Sequence, residues 1–221
     1  MRMVVTLLKF DPEKPFSELS KYMPLLSAER QARIERSRSE QSRVTSLLSG
    51  LLLSAVLSER CGTSPDKLRF AYGRHGKPYL PDHPECCFSL SHSHGYAALA
   101  CDDEPVGVDI QQILPQKQRA QRFLHPYERD SILLAEDKAE QFCRIWTMKE
   151  AYVKLTGEGM SRSFSRFDVL SMPENSFFTQ RLTDHILTIC TNKFTSQPEI
   201  HTITEIEFLA SFLVDENGKV W

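Results

Sequence analysis

The sequence predicts an α+β fold in two halves, each with a strand, then a helical section, then further strands. The 221 residues contain 41% hydrophobic and 25% charged side chains, the balance of an ordinary globular protein. Apolar residues recur at every second position in some segments, as in strands, and at three- and four-residue steps in others, as in helices. A polar break at Asp102–Pro105 separates a first half, residues 1–104, from a second half, residues 105–221.

The first half is predicted to contain two helices between strands. Helical spacing covers the highly charged segment Ser27–Arg38 and the apolar segment Gln41–Arg60, which can lie in a core. Glycine tolerates the left-handed conformation that ends a helix, so Gly62 ends the second one. The predicted strands are Met3–Phe10, Leu68–Tyr72, Cys87–Ser93 and Tyr96–Cys101, the last two joined by a turn at Gly95.

The second half is organised around a long helix within the segment Lys138–Thr156, which we call the central helix. Ile145, Met148, Tyr152 and Leu155 form its apolar stripe, and Gly157 and Gly159 end it. Other helices are predicted at Gln116–Phe123 and Tyr127–Leu134, and strands at Val106–Gln111, Phe164–Ser171, His185–Thr191 and Thr202–Val214. No repeat is visible between the two halves, so an internal duplication stays open.

Charge and composition exclude several classes of function. The net charge of −2 argues against a general nucleic-acid binder, which is normally strongly basic. No apolar run approaches the ~20 residues that span a bilayer, and the first apolar segment is too short for a signal peptide. The six cysteines show neither CxxC nor zinc spacing, which favours a reducing, cytoplasmic location.

Acidic residues on a strand and on the central helix suggest a metal site. In Val106–Gln111 the side chains of Asp109 and Gln111 share one face, opposite the apolar one. Glu150 and Lys154 lie together on the helix, away from its apolar stripe. Taken alone, Glu150 and Lys154 are better read as a surface pair. Two hard carboxylates suit Mg²⁺, however, and nearby cations suit a diphosphate.

Four motifs in order resemble those of the 4′-phosphopantetheinyl transferases of the surfactin-synthetase-activator type, which carry two similar halves in one chain. The matching segments cover roughly residues 27–160, and the helix motif WxxKEAxxK following a GxD strand is the most specific part. They are Gly76-Lys77-Pro78, Phe88-Ser89-Leu90-Ser91-His92-Ser93, Gly107-Val108-Asp109-Ile110 and Trp146-Thr147-Met148-Lys149-Glu150-Ala151 with Lys154.

The resemblance implies transfer of the phosphopantetheine arm of coenzyme A to a serine of an apo acyl or peptidyl carrier protein, with release of adenosine 3′,5′-bisphosphate. It implies two pseudo-symmetric halves with coenzyme A in the cleft between them. Asp109 and Glu150 are then expected to bind Mg²⁺, and Lys149 and Lys154 to contact phosphates. The expected nucleotide contacts are Lys77, Pro78, Ser91 and His92, with Arg43 as a further candidate on the helix that faces the adenine.

The expected roles in the reaction follow from phosphoryl-transfer chemistry. Lys154 neutralises charge on the phosphate, and Glu150 takes the proton of the attacking serine, directly or through water. Glu128 either assists or is a solvated helix charge. Where many relatives carry an acidic residue, this chain has Gln111, whose amide oxygen can still bind the metal but lacks a charge. Weaker Mg²⁺ binding or a changed metal preference is the hypothesis.

Other readings stay open at this point. A degenerate relative could hold coenzyme A or a carrier protein without turnover, and a plain α+β interaction domain could keep Asp109 and Glu150 as a structural pair. The arginines of Ser27–Arg38 form a solvated face, bind an anionic ligand or receive an acidic carrier protein. Two halves in one chain suggest that a monomer suffices.

Overall fold

The computed structural model describes residues 3–115, 122–159, 163–173, 176–194 and 196–212. Within them the chain is α+β, as predicted. The strands are β1 Val4–Lys9, β2 Ala71–Tyr72, β3 Pro78–Tyr79, β4 Cys87–Ser93, β5 Tyr96–Asp102, β6 Val106–Gln112, β7 Phe177–Arg181, β8 His185–Thr191 and β9 Glu199–Thr204. The α-helices are α1 Phe16–Leu19, α2 Ala28–Glu35, α3 Glu40–Cys61, α4 Pro126–Leu134, α5 Lys138–Thr156 and α6 Glu205–Ala210.

Two larger sheets form the framework. The first has the order β4-β5-β1-β9 and the second the order β6-β8-β7, while β2 and β3 form a small hairpin. All strand pairs are antiparallel except β1 and β9, which are parallel with Val4 opposite Glu199. Because β9 and the following helix α6 lie late in the chain, the last described part of the second half packs on the first sheet. The division at residue 104 stays a prediction about the chain.

The core of the first half is built on α3. Ser39 caps its start by accepting a hydrogen bond from the Ser42 amide, and Gly62 ends it in the left-handed conformation. Leucines of α3 pack against β4 and β5, among them Leu47, Leu48, Leu51, Leu52 and Leu57. By length and composition α3 could cross a membrane, but 56% of its apolar stretch is buried inside the protein, as in a core helix.

The central helix α5 lies directly on β6. Asp137 caps its start, and Gly157 ends it with a φ of 72°. The two elements meet at Gly107, where a Cβ atom would lie 1.9 Å from the carbonyl oxygen of Ala151. Real Cβ atoms do not approach so closely, so only glycine allows this strand and helix to pack at this distance.

Strand β6 is an edge strand, and its free edge faces β4. The backbone amides of Val108, Ile110 and Gln112 donate to the hydroxyl oxygens of three serines of β4 at 3.0, 3.4 and 3.0 Å. These are Ser89, Ser91 and Ser93, which share one face of β4. The two halves are therefore joined here by side-chain hydrogen bonds, which replace a strand ladder.

Two predicted strands of the second half differ from the structure, and one predicted helix is not tested by it. The expected strand Phe164–Ser171 consists of two 3₁₀ turns, Phe164–Arg166 and Val169–Ser171. The expected strand Thr202–Val214 ends at Thr204, which caps α6 by accepting from the Glu207 amide. The predicted helix Gln116–Phe123 lies mostly outside the described residues.

Candidate active site

A cavity of about 1890 Å³ lies where the two halves meet. The second half contributes Asp109 from β6 and Glu150 and Lys154 from α5. The first half contributes residues of α2, of the loop before β3 and of β4, namely Arg30, Arg33, Lys77, Pro78, Ser91 and His92. The structure therefore brings seven of the predicted site residues to one cavity: Lys77, Pro78, Ser91, His92, Asp109, Glu150 and Lys154.

Asp109 is the most buried acidic residue of this cavity, with 5% of its surface exposed. Its Oδ1 atom accepts hydrogen bonds from Ser91 Oγ at 2.6 Å and Lys154 Nζ at 2.7 Å. Its Oδ2 atom is buried and has no hydrogen-bond partner among the described residues. A buried carboxylate oxygen without a partner is costly, which indicates that a ligand satisfies it in the working protein.

Glu150 faces the same cavity from α5. Desolvation raises the pKa of its carboxyl group, the nearby Asp109 carboxylate raises it further, and the Lys154 ammonium opposes both effects. Two carboxylates thus share one cation from the protein. A second cation at this point would relieve both the excess negative charge and the unsatisfied Asp109 oxygen.

These donors fit Mg²⁺. Mg²⁺ commonly takes one or two carboxylates from the protein and completes its octahedron with water and substrate phosphates. Among the residues that the structure describes, no three acidic, histidine or cysteine side chains cluster closely enough to form a complete cage. Asp109 and Glu150 face this cavity from neighbouring elements, and their role as metal ligands stays a prediction.

Gln111 follows Asp109 on β6, and its backbone carbonyl accepts a hydrogen bond from Cys143 Sγ at 3.4 Å. It is not among the described residues that line the cavity. Its role as a third metal ligand stays a prediction.

Lys77 and Ser91 hold the halves together at the cavity wall. Lys77 Nζ donates to the carbonyl oxygens of Val106 at 3.1 Å and Leu155 at 3.3 Å, both in the second half. Ser91 Oγ donates to Asp109 and accepts from the Ile110 amide. Both residues were expected to hold the nucleotide, yet each is already bonded to β6 or α5.

His92 and the arginines of α2 supply the cationic and hydrogen-bonding wall. A second, smaller cavity of about 550 Å³ shares Arg33 and His92 with the first and adds Arg36 and His94. Desolvation lowers the pKa of His92, and the Lys154 ammonium lowers it further, so its imidazole is neutral at pH 7. This wall suits an anionic ligand, which favours that reading of the α2 arginines over a solvated face.

Arg43, by contrast, is not among the described residues that line either cavity, and its Nε atom donates to the Ser37 carbonyl at 3.1 Å. Its contact with coenzyme A stays a prediction. Sequence reasoning also missed Gly50, where a Cβ atom would lie 2.9 Å from the Cδ atom of Arg30. The signal was a glycine inside a long helix, which often marks a close approach by another group.

Lys149 is not in the cavity, contrary to its expected phosphate contact. Its ammonium group is fully buried, pairs with Glu128 at 2.8 Å, and donates to the carbonyls of Phe164 and Phe167 at 2.7 and 2.6 Å. Glu128 is also fully buried and accepts from the amides of Val169 and His125. Neither expected role of Glu128, assistance in catalysis or a solvated charge, is correct.

Trp146 packs against two phenylalanine rings. Its ring stacks on Phe142 at 5.7 Å and meets the edge of Phe164 at 5.3 Å.

Comparison with known proteins agrees with this arrangement. Residues 105–204 match the family model described as the 4′-phosphopantetheinyl transferase superfamily, and residues 11–104 match the model described as 4′-phosphopantetheinyl transferase, N-terminal. The chain is 33% identical over 163 residues to the 4′-phosphopantetheinyl transferase Sfp of Bacillus subtilis, covering 71% of this chain and 72% of that protein. The chain belongs to the 4′-phosphopantetheinyl transferase family.

Other relatives in this transferase family extend the match. The 4′-phosphopantetheinyl transferase psf-1 of Bacillus pumilus is 33% identical over 184 residues, which cover 82% of this chain and 78% of that protein. The L-aminoadipate-semialdehyde dehydrogenase-phosphopantetheinyl transferase of Saccharomyces cerevisiae is 26% identical over 240 residues, covering 93% and 87% respectively.

Proposed function

We propose that this transferase moves the 4′-phosphopantetheine arm of coenzyme A to a serine of an apo carrier protein and releases adenosine 3′,5′-bisphosphate. The observation that carries the proposal is the pair formed by Asp109 and Glu150, which face one cavity from different elements beside Lys154. Family membership gives the reaction class. The unsatisfied Asp109 oxygen supports a metal-assisted reaction at this place.

We infer that Asp109 and Glu150 hold Mg²⁺, which when bound offsets the negative charge of the diphosphate. Lys154 Nζ is bonded to Asp109 Oδ1 and lies at the cavity wall, so it can also donate to a phosphate oxygen. Its charge opposes the negative charge that grows on the phosphate in the transition state.

Glu150 is our candidate for the group that accepts the proton of the carrier's serine. A general base works best when its pKa lies near the working pH. Desolvation and the Asp109 carboxylate shift the pKa of Glu150 upward, toward that range. The proton passes to a Glu150 carboxylate oxygen, directly or through a water molecule.

The anionic parts of coenzyme A fit the cationic wall. Arg30, Arg33 and His92 line the main cavity, and Arg36 lines the smaller one that opens beside it. Since these arginines face cavities, we assign them to the phosphates of coenzyme A and not to the acidic face of the carrier protein. We further propose a monomer that acts in a reducing, cytoplasmic compartment, in keeping with six free cysteines.

The test is incubation of the chain with Mg²⁺, coenzyme A and a panel of apo carrier proteins, followed by mass spectrometry of each carrier. Transfer adds one phosphopantetheine group to the carrier and yields adenosine 3′,5′-bisphosphate in equal amount. Binding of coenzyme A without any mass gain across the panel contradicts the proposal and supports a binding protein. Absence of both transfer and coenzyme A binding supports a structural role for Asp109 and Glu150.

A further inference from the structure

The free edge of β6 is bonded by side chains on both its amides and its carbonyls. The amides donate to the three serines of β4 described above. The carbonyl oxygens of Val106 and Val108 accept from Lys77 Nζ at 3.1 Å and from Lys154 Nζ at 3.0 Å. An open strand edge carries polar groups that need partners, so these side chains take the place of a neighbouring strand.

Lys77 differs from the serines because it also reaches α5. Its second hydrogen bond goes to the carbonyl of Leu155, in the last turn of that helix. The last four carbonyls of a helix lack partners within it and carry the negative end of its dipole. One ammonium group therefore connects the loop before β3 to both β6 and α5.

The backbone of this loop also packs against the turn that follows α5. A Cβ atom on Gly157 would lie 3.6 Å from Lys77 Cδ, and one on Gly159 would lie 3.1 Å from the His75 carbonyl oxygen. Both glycines have positive φ, 72° and 58°. The turn is thus shaped to receive the loop Gly73–Lys77, and Lys77 is the polar link at this contact.

We propose that Lys77 is a positioning residue, which fixes the start of β6 and the end of α5 against the first half and does not bind the 3′-phosphate of coenzyme A. The inference rests on the proposed transfer, because the groups so positioned are Asp109 on β6 and Glu150 and Lys154 on α5. Two of the three N–H donors of Lys77 already bond carbonyls of β6 and α5, which holds the ammonium group in the wall between the halves. Burial also lowers the pKa of Lys77, as expected for a lysine in a wall between elements.

The test compares coenzyme A with 3′-dephospho-coenzyme A as co-substrates for the wild type and for Lys77→Met and Lys77→Arg. For Lys77→Met, kcat falls about tenfold to a hundredfold, as for a displaced catalytic group. The KM for coenzyme A stays within about twofold, and the kcat/KM ratio between the two co-substrates is unchanged. Lys77→Arg keeps the charge and the donors and recovers part of kcat.

Two reference variants calibrate this comparison. Arg33→Met, which alters the cationic wall shared by both cavities, lowers the preference for coenzyme A over its dephospho form. Lys193→Met removes an exposed lysine that does not line either cavity and leaves kcat and the preference unchanged. If Lys77→Met lowers the preference as Arg33→Met does, Lys77 binds the 3′-phosphate and the inference is overturned.

Hydrogen exchange keeps this inference separate from the proposed transfer. In Lys77→Met without substrates, the amides in the last turn of α5 exchange faster than in the wild type, since the loop no longer holds that turn. Unchanged protection overturns the inference even if the wild type transfers nothing, an outcome that refutes only the proposed function. If Lys77→Met does not fold, Lys77→Gln, which loses the charge and is too short to reach both carbonyls, replaces it in both measurements.

Discussion

Lys149 and Lys154 lie on the same helix, and each pairs with a carboxylate from another element. The Lys149–Glu128 pair is fully buried, and its charges are bonded to each other and to backbone groups, with Lys149 Nζ also 4.0 Å from the centre of the Phe167 ring. The Lys154–Asp109 pair lies at a cavity wall, where Lys154 is 29% exposed and Asp109 keeps one oxygen without a partner. Both pairs have similar lengths, 2.8 and 2.7 Å.

The difference lies in what remains unsatisfied. The buried pair is surrounded by backbone donors and acceptors, so removing one charge leaves the other stranded in the core. The cavity pair has spare binding capacity, together with a second carboxylate, Glu150, whose pKa is raised by desolvation and by Asp109. The first arrangement suits stability and the second suits ligand binding. Four predictions test this contrast, from the largest expected effect to the smallest.

Replacing the cavity carboxylates should abolish activity with little loss of stability. Glu150→Ala or Asp109→Asn is expected to lower kcat for transfer about a thousandfold or more, because a proposed ligand of the Mg²⁺ that offsets the phosphate charge is lost. Transfer is measured by carrier mass, and folding by circular dichroism. Glu136→Ala, at an exposed glutamate just before α5, is the control. Near-normal turnover in Glu150→Ala contradicts the catalytic assignment.

Removing the buried lysine should have the opposite pattern. Lys149→Met strands the Glu128 carboxylate and is expected to lower the free energy of unfolding by about 3–5 kcal/mol. Where the variant is still folded, its KM for coenzyme A is close to that of the wild type. Denaturant titration measures the first effect and steady-state kinetics the second, with the exposed Lys138→Met as control. A raised KM without a loss of stability shows that Lys149 contacts a phosphate after all.

Adding a charge beside Asp109 should strengthen metal binding. Gln111→Glu is expected to lower the Mg²⁺ concentration for half-maximal rate about fivefold, equivalent to about 1 kcal/mol for a charge near the protein surface. The rate is measured against Mg²⁺ concentration for the wild type and the variant. An unchanged half-maximal concentration shows that position 111 does not act on the metal.

Neutralising Glu150 should stabilise the metal-free protein at alkaline pH. Because the pKa of Glu150 is raised on folding, the folded chain holds its proton more tightly than the unfolded chain. Stability from the protonated form is present below the unfolded pKa and is lost as pH rises through the folded pKa. In EDTA, Glu150→Gln therefore unfolds at a higher temperature than the wild type near pH 8, and the difference vanishes near pH 4.

In the same melting experiment, Mg²⁺ should stabilise the wild type more than Glu150→Gln. Added Mg²⁺ raises the unfolding temperature of the wild type more than that of Glu150→Gln, because only the wild type keeps both carboxylate ligands. If the difference in unfolding temperature in EDTA does not depend on pH, the pKa of Glu150 is not raised. If Mg²⁺ stabilises both proteins equally, Glu150 is not a metal ligand.

Much of the fold followed from local patterns. The predicted strands Cys87–Ser93 and His185–Thr191 have the observed boundaries, and the segment Lys138–Thr156 contains the central helix as predicted, because alternation or helical spacing is regular there. The prediction of a strand at Phe164–Ser171 was wrong, because periodicity does not show contacts with distant parts of the chain. Its backbone is held in turns by Lys149 and Glu128, which bond the carbonyls of Phe164 and Phe167 and the amide of Val169.

The site followed a similar rule. Asp109, Glu150 and Lys154 could be predicted together because spacing on one strand and one helix decides which faces they share. For Lys149, the sequence did not reveal that Glu128 would pair with it in the core. Lys77 and Ser91 were correctly brought to the cavity wall, yet their partners are backbone and carboxylate groups of the other half, which only the folded chain brings close.

The absence of a side chain at Gly107 sets the distance between the Asp109 and Glu150 carboxylates. Gly107 touches α5 at Ala151. Asp109 lies two residues after Gly107 on β6, and Glu150 directly precedes Ala151 on α5. A methyl group at position 107 would push α5 away from β6 and increase the distance between Asp109 and Glu150. The geometry of the proposed metal site therefore depends on a position that has no side chain.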